Sequence, residues 1–336
     1  MVRKKIICLD TFRKEKKCYD SDNNPNYKKR CAGLHCVELI YKHLKTIKMY
    51  DLTIIIVTFN SEKHIKKCVD TVTKSELNNH NYKIIIIDNF SKDNTVKIVK
   101  KIQKKSKDIS LIENKNNVGF ARAVNQGIRL NRKSEYILLL NPDTILEKNS
   151  QINLIKCSEK NKAGICGGTT VNTKGEANGS YFRYPNLMVG IFDFTNIRKL
   201  CKNDKWHKYF YYLDINNSNK DSFPVDVVTG GFMLIKSSTI KKIGLLDENF
   251  FMYLEDVDYC LRANKAGIKI FHENSSKIIH IGGASSNNRD RIRHCSWLKS
   301  RKIFFLKHFG VLENIIIQPI FLLDDLLILA NKVFRI

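Results

Sequence analysis

The hydrophobic pattern between residues 52 and 140 alternates between short apolar runs and amphipathic stretches. The runs occupy residues 52–59, 82–88, 109–114 and 136–140 and read LTIIIVTF, YKIIIID, ISLIEN and YILLL. Apolar runs of this length bounded by turn residues are typical of buried strands. Helical spacing between them predicts a helix with Ser61 as its N-cap and further helices over residues 91–105 and 119–130. Strands that alternate with helices indicate βαβ units, so the predicted fold class is α/β with a parallel sheet.

The second half of the chain has a less regular pattern. Residues 164–224 mix glycine, asparagine and aromatic residues, which predicts connecting strands, and residues 225–244 predict a strand, a glycine turn, a strand and a helix. Gly230 and Gly231 mark a bend or a close approach by a ligand. A helix is predicted to begin near Glu255, with acidic residues in its first turn that also suit the helix dipole. His280 ends a later strand and is either an edge histidine or a metal ligand.

The two ends of the chain differ from its middle. Residues 1–48 carry thirteen Lys and Arg against five Asp and Glu, which predicts a basic, poorly ordered extension with one short helix. Residues 49–286 are predicted to be the main domain and residues 287–336 a helical tail. The tail is very apolar, but Asp324 and Asp325 interrupt it, and a charge at a bilayer centre costs about 2.5 to 3.5 kcal/mol. We expect peripheral contact with a membrane surface, or packing on the core or on a second subunit, rather than a membrane span.

Charge and cysteine content narrow the classes of partner and compartment. The chain has 58 Lys and Arg against 33 Asp and Glu, a formal net charge of +25, which attracts anions. No basic stripe interleaved with aromatic residues and no nucleic-acid motif accompanies this charge, so we expect no nucleic-acid partner. Ten cysteines occur without a CxxC pair, which favours a reducing compartment. Without a secretory signal pattern near the start, the expected location is the cytoplasm, free or on the periphery of a membrane.

Polar residues follow each of the four predicted strands. They are Thr58 and Asn60, Asp88 and Asn89, Asn117 and Gly119, and Asn141 and Asp143. Each is also a common cap or turn residue, but ligands of open α/β sheets bind outside the carboxyl ends of the strands, so together they predict a nucleotide crevice. Gly119 would let a phosphate approach the backbone closely, and Arg122 in the next turn would supply a planar cation. The absence of GxGxxG and Walker motifs disfavours dinucleotide oxidoreductases and P-loop ATPases.

These motifs together resemble the inverting glycosyltransferases of family 2, and most closely their rhamnosyltransferase-like branch. The motifs are IIIVTFN, IIIIDNFSKDNT, NKNNVGFARAVNQGI, YILLLNPDT, TGGFMLIKSSTIKKIGLLDENFFMYLEDVDYCLR and HIGGASS, in this order over roughly residues 50–286. The resemblance implies the GT-A fold, which is a Rossmann-like, mostly parallel sheet flanked by helices with a mixed α/β half on the acceptor side.

The resemblance also implies roles for individual residues. It implies donor contacts for Thr58, Asn60, Asp88, Asn117, Arg122 and Asn141, and acceptor-side contacts for Gly230, Gly231 and Glu255. Asp256 would be the catalytic base, and Asp143 and His280 would bind Mg²⁺ or Mn²⁺. Asn141 stands where many members have an aspartate, and its side chain is a neutral oxygen ligand. The same variant is familiar in the rhamnosyltransferase-like branch.

The implied reaction belongs to polysaccharide biosynthesis. A hexosyl or deoxyhexosyl group would pass from a UDP- or dTDP-sugar to a hydroxyl of a glycan or glycolipid acceptor, with inversion by a metal-assisted single displacement. Two other functions stay open at this point. One is a catalytically inactive GT-A scaffold that binds polyanions, which the net charge favours. The other is a nucleotidyltransferase, which would release pyrophosphate instead of a nucleoside diphosphate.

Overall fold

The computed structural model describes residues 51–333 except residues 76, 78, 79, 132, 178, 202, 203, 218 and 283–286. The predicted N-terminal extension, residues 1–48, lies outside the described residues. Its order and its helix therefore stay predictions.

A nine-stranded mixed sheet occupies the centre of the described chain. The strands are β1 (Leu52–Thr58), β2 (Tyr82–Asp88), β3 (Ile109–Glu113), β4 (Tyr136–Leu140), β5 (Thr144–Leu146), β6 (Ile165–Val171), β7 (Tyr181–Phe182), β8 (Ser222–Pro224), β9 (Val227–Val228), β10 (Phe232–Lys236) and β11 (Ile270–His280). The order in the sheet is β3-β2-β1-β4-β10-β6-β11-β5, with β8 on β11, while β7 and β9 form a separate pair. The first four strands are parallel, and β10 runs antiparallel to both of its neighbours.

Helices cover both faces of this sheet. They are α1 (Ile65–Lys74), α2 (Thr95–Gln103), α3 (Phe120–Leu130), α4 (Ser150–Asn161), α5 (Leu187–Phe192), α6 (Ile197–Cys201), α7 (Lys205–Phe210), α8 (Ser237–Ile243), α9 (Glu255–Lys265), α10 (Asn287–His308) and α11 (Val311–Val333). Ile55 of β1 packs in one core cluster with Val124 of α3, whereas the adjacent Ile54 packs in another with Val69 of α1. Because both faces of the strands are buried, the apolar runs are continuous rather than alternating.

The four sheet strands predicted from the apolar runs are confirmed to within one residue, but the helix starts are less accurate. The prediction that Ser61 caps the first helix is wrong, because residues 62–64 form a turn and His64 is the residue before α1. The second helix begins at Thr95 rather than residue 91, since Ser91 instead donates a hydrogen bond to Asp88. Residues 164–224 contain three short helices as well as the predicted strands. These helices are too short to show a helical period in the sequence.

The tail helices pack partly into the core of the described chain. Phe304 and Phe305 of α10 and Ile317 and Phe321 of α11 are fully buried and belong to the same core cluster as the sheet and α3. Arg301 is also buried and binds the two aspartates that interrupt the apolar tail. In the part of the chain that the structure describes, no helix is long and apolar enough to span a bilayer.

Candidate active site

A cavity of about 700 Å³ opens at the carboxyl edge of the parallel strands. Of the residues given a role from the sequence, it is lined by Asn117, Asn141, Asp143, Gly230, Gly231, Glu255, Asp256 and His280. Thr58, Asn60, Asp88 and Arg122 are not among its lining residues. The structure therefore brings together the predicted metal, base and acceptor-side residues, while part of the predicted donor set lies behind the cavity wall or outside it.

Asp88 fixes the loop between β2 and α2. The Thr58 hydroxyl donates to Asp88 Oδ1 over 2.9 Å, and the Ser91 backbone N–H donates to Asp88 Oδ2 over 2.8 Å. Asp88 is 1% exposed. Asn60 has φ 51° and its side-chain oxygen accepts a 2.7 Å hydrogen bond from the Lys92 backbone N–H. Thr58, Asn60 and Asp88 thus hold two neighbouring loops at the cavity edge, and their predicted contact with the nucleoside stays a prediction.

Gly119 allows the backbone before α3 to lie close to the backbone of Phe251. Its φ is 88°, and a Cβ atom at this position would lie 2.6 Å from the carbonyl oxygen of Phe251. The Asn117 side-chain oxygen accepts a 3.0 Å hydrogen bond from the Gly119 N–H. Arg122 of α3 points to Glu248, to which its Nε donates over 3.1 Å. The sequence predicts a phosphate beside both residues. In the structure Gly119 lines the cavity and packs against Phe251, and Arg122 forms an ion pair with Glu248, so the phosphate contact stays a prediction.

Asp143 and His280 meet across two antiparallel strands. His280 pairs with Thr144 in the ladder between β11 and β5, so residues 137 positions apart become neighbours. Asp143 Oδ1 lies 3.0 Å from His280 Nε2, and both side chains are partly exposed. Burial opposes ionisation of Asp143, but the hydrogen bond and charge of His280 outweigh it and lower the pKa of this carboxyl. His64, which also lines the cavity, acts in the same direction.

The Asp143–His280 pair suits a cation that is shared with a substrate. A carboxylate and an imidazole are ligands that Mn²⁺ and related ions accept, and Asn141 contributes an amide to the same wall. Within the described ranges, no group of three or more His, Cys, Asp or Glu side chains could form a complete metal site. Mg²⁺ is commonly bound by one or two carboxylates together with substrate phosphates and water. The residues present therefore fit a substrate-completed site and not an all-protein cage.

Asp256 stands in the first turn of α9, where backbone donors hold its carboxylate. The Gly230 N–H donates to Asp256 Oδ2 over 2.9 Å, and the Val257 N–H donates to Oδ1 over 2.8 Å. Burial raises the pKa of Asp256, and these two hydrogen bonds limit the rise. The result is a carboxylate at the cavity wall that is a stronger base than an ordinary aspartate.

Glu255 has an environment unlike that of its neighbour. It is 6% exposed, and in the described part of the chain its Oε2 atom has no hydrogen-bond partner. Burial, together with the negative charges of Asp256 and Asp258, raises its pKa well above the ordinary range. The two residues before it, Tyr253 and Leu254, have positive φ angles of 72° and 64°. Such angles are uncommon for large residues, and here they occur directly before α9, whose first residues line the cavity.

Asp258 serves the structure on the opposite side of α9. It is fully buried, and its Oδ1 lies 2.8 Å from His308 Nε2 and 2.6 Å from Lys307 Nζ. Its Oδ2 accepts a 2.9 Å hydrogen bond from Arg262. Burial alone would raise the pKa of Asp258, but hydrogen bonds from His308, Lys307 and Arg262, together with the charge of Arg262, lower it to about 2. Asp258 therefore anchors α9 to α10 and is not among the residues that line the cavity.

Several lining residues were given no individual role in the sequence analysis, although Asn89 belonged to the predicted set of polar residues after the strands. Asn89 lines the cavity and its Nδ2 donates to the Gly119 carbonyl over 3.1 Å. The other side of the cavity carries aromatic residues from distant segments, namely Phe182, Phe210, Tyr211, Phe251 and Trp297. Asn89 was detectable because it follows a strand. The aromatic residues carried no such signal, since an aromatic side chain in a core and one in a cavity wall look alike in sequence.

Comparison with known proteins identifies related sequences. The sequence model described as Glycosyl transferase family 2 matches residues 53–244. The chain is 27% identical over 232 residues to the low-salt glycan biosynthesis hexosyltransferase Agl10 of Haloferax volcanii, covering 66% of this chain and 64% of that protein. It is 29% identical over 247 residues to rhamnosyltransferase WbbL of Escherichia coli, covering 70% and 84%. An N-acetylglucosaminyl-diphospho-decaprenol L-rhamnosyltransferase of Mycobacterium tuberculosis is 24% identical over 272 residues, covering 77% and 85%.

A solved structure supports the assignment of the fold. The crystal structure of GalNAc-T7 with UDP, GalNAc and Mn²⁺ superposes with a TM-score of 0.54 at 16% identity, covering 74% of this chain and 48% of that chain. At this identity the similarity shows the fold alone. The predicted GT-A fold, with a mostly parallel sheet flanked by helices, is confirmed.

Proposed function

Because the chain belongs to glycosyl transferase family 2 and is of the rhamnosyltransferase-like type, we propose that it transfers one sugar from a nucleoside-diphosphate sugar to an acceptor hydroxyl with inversion. The observation that carries this proposal is a single cavity lined by the Asp143–His280 pair and by Asp256. A cation site for a leaving diphosphate and a carboxylate base are the two components that a single displacement needs.

The donor is a UDP- or dTDP-sugar whose nucleotide lies at the carboxyl edge of β1 to β4. Asn117 and Asn141 line the cavity and contact it. Thr58, Asn60 and Asp88 act by holding the loops after β1 and β2. Arg122 reaches the donor only when its exposed ion pair with Glu248 opens, and such pairs contribute about 1 kcal/mol or less.

Asp143 and His280 would hold Mg²⁺ or Mn²⁺. When bound, the cation neutralises negative charge on the leaving nucleoside diphosphate. Asp143 is suited to this because its pKa is low, so it is ionised at neutral pH. His280 contributes a ring nitrogen on the same wall.

Asp256 accepts the proton of the acceptor hydroxyl as the oxygen of that hydroxyl attacks the anomeric carbon. The bond from that carbon to the diphosphate oxygen breaks in the same step, and its electron pair leaves with the diphosphate. Gly230 holds Asp256 in place through its backbone N–H. Glu255, whose raised pKa favours the neutral acid, donates a hydrogen bond to the acceptor. A retaining enzyme would need two carboxyl groups about 5 to 5.5 Å apart on either side of the bond, one of them an ionised nucleophile.

The experiment that tests the proposal combines a donor screen with Asp143→Ala. We expect one UDP- or dTDP-sugar to bind with Mn²⁺ present and to bind weakly in EDTA, as measured by isothermal titration calorimetry. Asp143→Ala should lower this Mn²⁺-dependent affinity by at least the roughly 10- to 100-fold that even outer-shell partners of a metal contribute. The matched control is Glu147→Ala, at an exposed residue directly after β5. This variant should leave the Mn²⁺-dependent donor affinity unchanged.

Three results would contradict this assignment. Equal donor affinity in EDTA together with full activity of Asp143→Ala would remove the metal role. Release of pyrophosphate instead of a nucleoside diphosphate would identify a nucleotidyltransferase. Polyanion binding that falls steeply with salt, without any response to sugar nucleotides, would favour the inactive scaffold.

The tail helix α11 supports a second part of the proposal, which is peripheral contact with an anionic membrane surface. Its exposed apolar side chains are Val311, Leu312, Ile315, Ile316, Leu322, Leu323, Leu326, Leu327 and Leu329. Most recur every three or four residues and form one stripe, while Ile317 and Phe321 face the core. An exposed apolar stripe of this length indicates an interaction site.

Two observations favour a bilayer over a second copy of the chain. Each copy carries a formal net charge of +25, which opposes self-association and favours an anionic lipid surface. The name of the Mycobacterium tuberculosis relative contains N-acetylglucosaminyl-diphospho-decaprenol, and a long apolar chain of the decaprenol kind partitions into a membrane. Trp297 of α10, the helix that packs against α11, also lines the catalytic cavity. A glycolipid acceptor on the cytoplasmic membrane surface therefore fits the exposed stripe on α11 and the position of Trp297 in the cavity wall.

Replacing Leu323 and Leu327 together with glutamate should release the protein from vesicles that contain phosphatidylglycerol. Full burial of one leucine is worth about 1.5 to 3 kcal/mol, so we expect a loss of more than tenfold in partitioning, measured by co-sedimentation. The control replaces two leucines exposed elsewhere, Leu130 and Leu213, with glutamate. Unchanged vesicle binding, or a concentration-dependent dimer that the Leu323 and Leu327 changes abolish, would refute the membrane assignment.

A further inference from the structure

The segment directly before α9 follows an unusual backbone path. Tyr253 and Leu254 have φ angles of 72° and 64°, which are strained for residues with large side chains. Glu255 and Asp256 come next, so the backbone that leads to the proposed base passes through this strained pair. A strained conformation persists only where the surrounding structure holds it. The contacts that hold this segment therefore bear on the position of Asp256.

Two successive backbone carbonyls anchor the chain immediately before the strained pair. The Phe120 N–H at the start of α3 donates to the Phe251 carbonyl over 2.6 Å. The Ser300 hydroxyl of α10 donates to the Met252 carbonyl over 2.8 Å. Ser300 is 2% exposed, so water does not compete for this bond. Two helices that are distant in sequence thus fix the point from which the strained pair continues to α9.

Helix α10 makes two further contacts with the same segment. Arg293 Nε donates to the Tyr253 hydroxyl over 2.8 Å. The ring of Trp297 lies edge-on to the ring of Tyr253, with 6.1 Å between their centroids. The Arg293 bond is exposed, whereas the Ser300 bond is inside the protein. A hydrogen bond is electrostatically stronger where the local dielectric constant is low, so Ser300 provides the firmer restraint.

We propose that Ser300 is a positioning residue for the catalytic base, because its hydrogen bond to Met252 holds the strained segment in the conformation that places the Asp256 carboxylate at the acceptor hydroxyl. The inference rests on the proposed glycosyl transfer. Ser300 does not line the cavity, so it acts through the backbone that joins Met252 to Asp256. Accurate placement matters because a misplacement of about 1 Å can lower a rate roughly 10²-fold.

Ser300→Ala tests this inference because it removes only the hydroxyl. The segment should then occupy its competent conformation for a smaller fraction of the time, and one neutral hydrogen bond corresponds to about 2- to 12-fold in such a population. We expect the single-turnover rate to fall by that factor, while donor affinity stays unchanged.

The assay uses the donor found in the screen and octyl glucoside, which supplies sugar hydroxyls on an apolar chain, as a simple glycolipid acceptor. It measures the nucleoside diphosphate that is released, so transfer to the glucoside and to water are both detected. Donor affinity is measured on the same preparation by isothermal titration calorimetry.

Ser296→Ala is the matched control, one turn earlier on α10. Ser296 is also buried, at 7% exposure. Its hydroxyl donates to the Ile292 carbonyl of its own helix over 2.7 Å, and not to the segment before α9. This variant should keep the wild-type rate of release. The melting temperatures of both variants measure the general cost of removing a buried serine hydroxyl from this helix.

Combining Ser300→Ala with Asp256→Asn separates positioning from a general structural effect. If Ser300 acts by placing the Asp256 carboxylate, its hydroxyl matters only while that carboxylate can accept a proton. In the Asp256→Asn background we therefore expect Ser300→Ala to cause almost no further loss of rate. Independent effects would instead multiply. Enzyme in excess over donor makes the slow release by these variants measurable.

The outcomes separate this inference from the function on which it rests. An unchanged rate in Ser300→Ala, while wild type is active and Asp256→Asn is slow, would overturn the positioning role alone. An equal loss in Ser296→Ala, an equal loss in the Asp256→Asn background, or a Ser300→Ala variant that does not fold would also overturn it. A wild-type protein that releases nucleoside diphosphate from no sugar nucleotide would overturn the proposed function together with this role of Ser300.

Discussion

Replacing Asp256 with asparagine should lower the rate of sugar transfer by about 10² to 10⁴-fold, the usual contribution of a general base. Asparagine keeps the size of the side chain, and its single oxygen can still accept the hydrogen bond from Gly230. It cannot accept a proton from the acceptor hydroxyl. The loss should therefore appear in kcat, while donor affinity changes little. Single-turnover transfer rates and donor titrations on the same preparation measure the two quantities.

The dependence of the transfer rate on pH provides an independent check of this base. Burial raises the pKa of Asp256, so the proton returns to the carboxylate at a higher pH than for an ordinary aspartate. The rate should fall as the pH drops through that raised value. In Asp256→Asn this acidic limb should be absent from whatever activity remains. A limb that persists unchanged in the variant would assign it to another group.

The two neighbouring acids serve as controls. Glu255→Gln should reduce the rate only mildly, because a neutral amide can donate a hydrogen bond as the protonated Glu255 carboxyl does. Asp258→Asn should reduce stability more than rate, because it weakens the contacts to His308 and Lys307. Near-normal turnover of Asp256→Asn, or an unfolded variant, would remove Asp256 from its proposed role and leave Glu255 as the next candidate.

Arg301→Met should destabilise the protein by about 3 to 5 kcal/mol, the cost of breaking a buried ion pair. Arg301 is 1% exposed, and it donates to Asp324 over 2.7 Å and to Asp325. Burial would raise the pKa of Asp324, but Asn196 and Arg301 lower it by hydrogen bonding to the carboxylate. Without the guanidinium, the Asp324 carboxylate remains buried, and the loss of its hydration is no longer offset by an ion pair. Urea unfolding, followed by circular dichroism, measures the difference in free energy.

An exposed ion pair is the matched comparison. Lys66 and Asp70 of α1 lie 2.5 Å apart with side chains that are 70% and 41% exposed. Lys66→Met should cost less than about 1 kcal/mol. Combining Arg301→Met with Asp324→Asn and Asp325→Asn should recover much of the loss, because no uncompensated charge is then buried. If Arg301→Met costs no more than Lys66→Met, the tail does not contribute to the stability of the core.

The apolar tail shows what a sequence pattern alone can predict and what it cannot. The sequence left two possibilities, an interfacial helix or a packed one. In the structure one face of α11 is packed through Ile317 and Phe321, and the opposite stripe is exposed. The aspartates that made a membrane span unlikely in sequence are internal partners of Arg301. The sequence showed the charges, but their partner is more than 20 residues away and only the fold identifies it.

The same holds for the candidate site: some of its features follow from neighbouring residues in the sequence, and others come from residues that only the fold brings close. The acidic first turn of α9 was predicted from sequence, but the different environments of its carboxyl groups come from Gly230, His308 and Lys307, which lie elsewhere in the chain. Arg122 was expected at the donor, yet Glu248 lies beside it in the fold. No local pattern indicates such partners, because an ion pair depends on distance in space.

The sequence by itself determined the α/β class, the positions of β1 to β4, and the turn residues at their carboxyl ends. Hydrophobic periodicity is a local property of the chain, and these elements follow from it. Only the tertiary structure decided that Asp143 meets His280 through the pairing of β5 with β11 and that Asp88 supports a loop behind the cavity. Each of these depends on contacts between residues distant in sequence, and such contacts exist only once the sheet has formed.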